Sequence, residues 1–320
     1  AWGGRGVAHH HMGLAGTGTL TFLLLARQCG VDVEEGMLQA ALQHFYRFSG
    51  KGVNPYMDAY PEGGTTDNGR NARLAFAMAA ATALDPKGEE SLYAMARDVA
   101  AMHSFYSGSY MNHGHTGGGI GEVWRSAAMG LLYEKRPLQY REFMNNRSWW
   151  LDISRRYNGS FGILGGGSYD KDSWGITMGL TYTVPRKKLC IFGAPRSPHA
   201  KPHKIPARAW GTPADDAFLS LDAVADASGK VPDLSSETFA EDSGGPMHRR
   251  ISAPDLSDEE LLCFIRHAKH AYRQGAAGRI YREMRDHLIL DLLNDKDARV
   301  RHAALMAMPM PVVSSRPARC

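Results

Sequence analysis

The sequence predicts an all-α protein, and three observations carry that expectation. Glycine- and polar-rich loops feed four times into helices of small and apolar residues, at 17–26, 67–78, 121–131 and 172–182. The equivalent positions Leu23, Phe76, Ala128 and Leu180 recur about every 52 residues, a spacing of the kind that marks helical repeats. Between these segments lie amphipathic ones with apolar residues three and four apart, so each repeat reads as a pair of helices.

Taken in order, the first inner helix is expected near 17–28. Its outer partner, 36–48, buries Met37, Leu38, Ala41, Leu42, Phe45 and Phe48 on one face. A second inner helix near 69–83 is followed by an outer one at 89–106, whose face carries Leu92, Met95, Ala96, Val99, Met102 and Phe105. The third pair places an inner helix near 120–133 and an outer helix at 137–156. Tyr140, Phe143, Trp150 and Ile153 form its face, and Pro137 stands where a first turn tolerates a missing N–H. A fourth inner helix is expected near 173–183. Inner helices that are apolar nearly all round predict coverage on both sides, and outer helices one wet face.

The unit formed by 1–185 ends where the composition changes. Residues 186–254 carry Pro195, Pro198, Pro202, Pro206 and Pro213, which prevent long helices and predict an irregular linker or strap. Within it Leu189-Cys-Ile-Phe192 predicts a short strand, 215–227 a short helix and 229–245 a mobile stretch. Residues 255–320 turn helical again. Ser257-Asp-Glu-Glu260 is a helix start, with a Ser cap and acidic first turn, and Leu261, Leu262, Phe264, Ile265, Ala268 and Tyr272 supply an apolar face. Further on, a helix ends at Asn294-Asp295, Asp297 caps the next, and Val300, Ala303, Ala304 and Ala307 make a small face suited to stacking.

The repeat resembles the α/α toroid of terpenoid cyclases, protein prenyltransferases and polysaccharide lyases. Arg156-Tyr-Asn-Gly-Ser-Phe-Gly162 is similar to the Gly-x-Trp/Phe turn of those families, and Ala1-Trp-Gly-Gly4 looks like the same turn in an earlier repeat. The segment 287–307 resembles a HEAT repeat, a unit that cannot bury its face alone. The combination resembles a group of uncharacterised bacterial proteins that carry a domain of unknown function. It implies a partial toroid of about four helix pairs, a strap and a HEAT-like region, with a fragment of a longer protein as the expectation.

Composition excludes some functions. A net charge of +4 over 320 residues, with scattered basic residues, does not give the clustered stripe that nucleic-acid binding uses. The apolar run 20–26 falls far short of the ~20 residues that span a bilayer, and no other run in the sequence approaches that length. Cys29, Cys190, Cys263 and Cys320 have no paired spacing and leave the compartment open.

Chemistry is expected where loops meet the N-termini of inner helices, because free amides there favour anionic groups. The catalytic candidates are His113, Tyr110, Asn112, Asp170 and Asp172; the substrate-binding candidates are His10, His11, Asp67, Asn68, Arg70, His115, Tyr169 and Trp174. No cofactor is expected, although His113 and His115, two apart, are placed to hold a divalent metal with His9 or His11. A plainer reading makes Thr17, Asp67, Asn68 and Asp172 helix caps. Gly117-Gly-Gly119 and Gly165-Gly-Gly167 lack the Lys-Ser/Thr of a phosphate loop and predict tight turns.

Three functions are compatible with these residues. A polysaccharide lyase or hydrolase needs a base and a donor beside the carboxylate, and Tyr110, Asn112, His113 and Arg70 are similar in kind to the sets of toroid lyases. A non-catalytic scaffold would bind a glycan or peptide at the loops and a protein through the HEAT-like segment. A terpenoid-cyclase-like enzyme would use Asp170-Lys-Asp172-Ser173, which resembles an Asp-x-Asp-Asp acid with its last Asp replaced.

Overall fold

Alanine-rich and leucine-rich segments form the inner helices, with ends close to those read from the sequence. The computed structural model describes residues 13, 15–55, 69–107, 120–162, 179–192, 194, 198, 205–221, 250–267 and 269–308. In it α1 spans Thr17–Gln28, α3 Arg70–Leu84 and α5 Ile120–Gly130, and 179–183 is helical. Alternating with these are α2 (Glu35–Tyr46), α4 (Leu92–Phe105) and α6 (Pro137–Ser154). Helix α3 packs between α1 and α5, while α2 lies on α1 and α3, α4 on α3 and α5, and α6 on α5, giving an inner row and an outer row. The chain is all-α: among the described residues the only extended pairing is a single bridge between Arg155 and Phe161.

Helix α3 shows why the inner row can be this dense. Ala72, Ala75, Ala77, Ala80 and Ala81 are fully buried, and alanine favours the helix without loss of side-chain entropy while letting neighbours approach from every side. Phe76 fills the space they leave, edge-on to Trp124 at 5.4 Å and tilted against Phe192 at 5.5 Å. Coverage on both sides does not extend to α1, whose Phe22 is 68% exposed. Of the four equivalent positions, Leu23, Phe76 and Ala128 are buried, but Leu180 is 39% exposed. Ile153, expected on the buried face of α6, also points to solvent, whereas Phe143 and Trp150 are buried as expected.

The turn after α6 follows its sequence. Gly159 adopts φ +81, a conformation that strains any side chain, and Arg156 N–H donates to the Ser160 carbonyl at 2.7 Å across it. The strap departs from expectation. Cys190–Phe192 is a 3-10 turn rather than a strand: among the described residues no strand edge is there to pair with it, and Phe192 instead docks on α3. The helix expected at 215–227 is replaced, in its described part, by a 3-10 segment at Pro213–Leu219, held by a capping box of Thr212 and Asp215. Residues 222–249, which include the stretch expected to be mobile, lie outside the described residues. Tyr93 of α4 pins the strap by donating its hydroxyl to the Pro206 carbonyl at 2.5 Å.

The C-terminal helices are α7 (Asp258–Ile265), α8 (His270–Arg282), α9 (Ile289–Leu293) and α10 (Ala298–Ala307). Both expected caps are present: Ser257 and Glu260 form a reciprocal capping box, and the Asp297 carboxylate accepts from Arg299 N–H at 2.8 Å. Val300, Ala303, Ala304 and Ala307 are buried on the side of α10 that meets α8 and α9. Helix α8 joins this unit to the first: Tyr272 donates to the Tyr106 carbonyl at 2.5 Å and Arg273 to the Lys51 carbonyl at 3.0 Å. Among the described residues no helix is long and apolar enough to cross a membrane.

Candidate functional site

The starts of α1, α3 and α5 gather at one end of the inner row. Buried Asn54 ties two of them together: its N–H donates to Asn71 Oδ1 at 2.8 Å, and its Nδ2 donates to the carbonyls of Arg70 at 3.2 Å and Gly13 at 3.3 Å. Gly69, at φ +87, abuts α5 so closely that a Cβ would stand 3.0 Å from that of Trp124 and 3.2 Å from the Gly121 carbonyl. The Arg73 guanidinium lies 4.9 Å over the Trp124 ring. Thr17 is not the N-cap of α1; its hydroxyl donates back to the Gly13 carbonyl at 2.8 Å, within the preceding turn.

Of the residues expected from sequence, Arg70 is described. It opens α3 and is only 6% exposed. His10, His11, Asp67, Asn68, Tyr110, Asn112, His113, His115, Tyr169, Asp170, Asp172 and Trp174 lie outside the described residues, as does His9. Among the described residues no three His, Cys, Asp or Glu side chains come together as metal ligands.

Between the end of α4 and the start of α5 lies a buried polar node that sequence reasoning missed. Glu122 accepts from Arg147 Nε at 2.7 Å, Arg125 Nη1 at 3.1 Å and Ser126 Oγ at 2.9 Å. Burial opposes its ionisation, but Arg147 and Arg125 outweigh that and hold its pKa below the usual value. Arg125 also donates to the carbonyls of Ser104 and Ser107, binding α5 to the end of α4. From α8 the buried Lys269 donates to Ser107 Oγ. This Ser–Lys contact is not a nucleophile pair: the Ser107 hydroxyl proton goes to the His103 carbonyl at 2.7 Å and Ser107 is almost wholly buried.

Two histidines complete the node. His103 and His267 are each 1% exposed, and the His267 ring stands edge-on to Tyr106 at 4.7 Å and Tyr272 at 4.6 Å. His267 Nδ1 accepts from Lys269 N–H at 2.9 Å, which fixes the tautomer with the proton on Nε2. Burial pushes both imidazoles well below their usual pKa, and the charges of Lys269, Arg273 and Arg299 add to the shift. Both rings are therefore neutral.

A cavity of about 550 Å³ opens between the end of α2, the Pro213–Leu219 turn and the N-termini of α8 and α10. Its wall carries Lys51, His270, Arg273, Arg299 and His302 beside the rings of Phe218 and Trp210. Burial, then Arg47 and Arg273, lower the Lys51 ammonium below its usual pKa. Burial and Arg299 bring Arg273 down to about 9, with Asp297 opposing. Burial, then Arg273, Lys51 and His302, bring His270 to about 3. All three shifts disfavour positive charge. The sequence signal was faint: His270 and Arg273, three apart, occupy the buried face of α8 beside Tyr272, the one residue of the expected apolar face that falls on this helix.

No curated protein and no solved structure gives a significant match to the chain. The family model described as a domain of unknown function, DUF6288, matches residues 3–193, which include both rows of helices and the turn after α6, and the chain belongs to that family.

Proposed function

We propose that the protein is a polysaccharide-active protein, a lyase or hydrolase, built as a partial α/α toroid with a HEAT-like C-terminal region. The observation that carries this reading is the gathering of the α1, α3 and α5 starts at one end, through Asn54, Gly69 and Trp124. Loops that enter those helices carry Tyr110, Asn112, His113, Asp67, Asn68 and Arg70, residue types able to abstract a proton and neutralise a carboxylate. An alternating inner and outer row of helices is consistent with a toroid arc. The stacking of Val300, Ala303 and Ala304 of α10 on α8 is consistent with a HEAT-like unit.

The test is a screen of the full-length protein against acidic and neutral polysaccharides, following unsaturated-product absorbance and new reducing ends. Turnover on one member, lowered about a hundredfold or more by His113→Ala and by Tyr110→Phe with little change in melting temperature, supports the reading. Turnover indifferent to both substitutions removes these residues from the chemistry. A second reading, a binding scaffold, is favoured by Leu290 and Leu305, which are 71% and 58% exposed on the C-terminal helices and suit a protein partner. Binding of a glycan or peptide without turnover supports that one.

A further inference from the structure

We propose that the cavity between α2, α8 and α10 is a binding site for a doubly charged organic anion, of which a phosphomonoester is the simplest. This rests on observations separate from the glycan reading and stands or falls independently of it.

Charge is the first argument. Of the groups around the cavity, Asp216 is bound by Arg208, Asp215 is used by Thr212 in the capping box, and Asp297 pairs with Arg299 at 2.7 Å. Asp216 and Asp297 are thus already paired with cations, while the Asp215 oxygen is held by Thr212 and the residue keeps its charge. Lys51 is half-buried with no carboxylate partner among the described residues, and the charges acting on it are those of Arg47 and Arg273. Its ammonium reaches instead over the Phe48 ring, 5.9 Å from the centroid. A surface cluster of cations with no ligand would be relieved by solvent; this one is held in a concave site, where like charges repel more strongly.

Geometry is the second. Two helices of ordinary length begin at the cavity wall, α8 at His270 and α10 at Ala298, and α8 has no side-chain cap on its first amides. Helix α8 presents the positive end of its dipole to this space, whereas at α10 the Asp297 carboxylate already caps that end. His270 and His302 lie with ring centroids 6.1 Å apart, and each is displaced towards the neutral form by burial and by Arg273 and Lys51. Neutral imidazoles offer one N–H donor each to an anion oxygen.

Size and lining are the third. A cavity near 550 Å³ falls within the roughly 300–1,000 Å³ of small-molecule sites and exceeds what an inorganic ion fills. Phe218, over which Arg299 stacks at 5.0 Å, and the partly exposed Trp210 form an apolar side on which a ring can lie while its charged end meets Lys51.

The experiment is calorimetric titration of the full chain with adenosine monophosphate, glucose 6-phosphate and inorganic phosphate, at constant ionic strength set with chloride. The expected result is saturable one-to-one binding of at least one organic ester, tighter than inorganic phosphate, with none of adenosine or glucose. Lys51→Gln should weaken that binding about tenfold or more, the scale of losing one charge-assisted contact, without lowering the melting temperature. His302→Gln should weaken it less, and Lys187→Gln, which pairs with Glu134 away from the cavity, not at all. Absence of saturable binding of both esters at millimolar concentration overturns the proposal. So does binding that Lys51→Gln leaves intact, or binding of phosphate alone.

Discussion

Acid should unfold this protein in a window set by buried histidines. His103, His267 and His270 are 1%, 1% and 3% exposed, and burial depresses all three pKa values in the folded state, His270 to about 3. In the unfolded chain each returns to near 6.5 and takes up a proton as pH falls, while the folded ring stays neutral. The unfolded state then binds more protons, so stability is full above pH 6.5 and is lost progressively below it. For His270 this amounts to about 1.4 kcal/mol per pH unit, or about 2 kcal/mol between pH 6.5 and 5, and His103 and His267 add losses of the same sign. Glu89 and Glu260, held at about 2 by Arg97 and Arg250 respectively, add their own loss only below about pH 4.5, outside the window. Urea unfolding at pH 7.5, 6.5, 5.5 and 5.0 measures the slope, and His103→Gln should make it shallower. Stability that is flat from pH 7.5 to 5, or a variant with the wild-type slope, would refute the reasoning.

Other perturbations test other parts of the fold. Glu122→Ala leaves Arg125 and Arg147 buried without their shared carboxylate and should cost about 3–5 kcal/mol by chemical denaturation. Gly130→Ala places a Cβ 2.7 Å from that of Val184, where α5 meets the Val184–Arg186 turn, and should cost about 1–3 kcal/mol by the same measurement. Ser257→Ala removes the capping box of α7 and should cost about 1 kcal/mol, with a matching loss of hydrogen-exchange protection in 258–261.

The fold was legible where local chemistry and burial point the same way. Ser257 and Asp297 cap their helices because a short polar side chain can reach its own amides in any context. The small residues of α3 and α10 mark close packing because nothing else uses that many alanines at helical spacing. Misreadings arose where periodicity shows a face but not what covers it. Leu180 and Ile153 fit the apolar pattern and are exposed. The apolar run 189–192 has strand propensity, yet a strand needs an edge to pair with, and α3 offers Phe192 a ring instead.

The candidate site was legible as a place more than as a set of residues. Arg70 and the gathered helix starts were accessible to sequence because they belong to the repeat. Lys51, His270, Arg273 and Arg299 were not, since they come from three chain segments, the first more than two hundred residues from the other two, and each fits an ordinary helix or turn by itself. What unites them is α8. Its docking on Tyr106, Ser107 and Lys51 buries Lys269 and His267 in the polar node and brings His270 and Arg273 against Lys51. An apolar residue at 273 would pack against the same neighbours without lowering the pKa of Lys51 or His270, so hydrophobic burial alone gives no reason for a cation there. Arg273 does hold two carbonyls, of His267 and Lys51, and those bonds account for its position. They do not account for Lys51, whose ammonium gains no carboxylate among the described residues and is acted on by the like charges of Arg47 and Arg273. An anion entering the cavity would reverse the sign of that interaction and lift the depressed pKa values of Lys51, Arg273 and His270 together, which ties the cost carried by the empty fold to the ligand proposed for it.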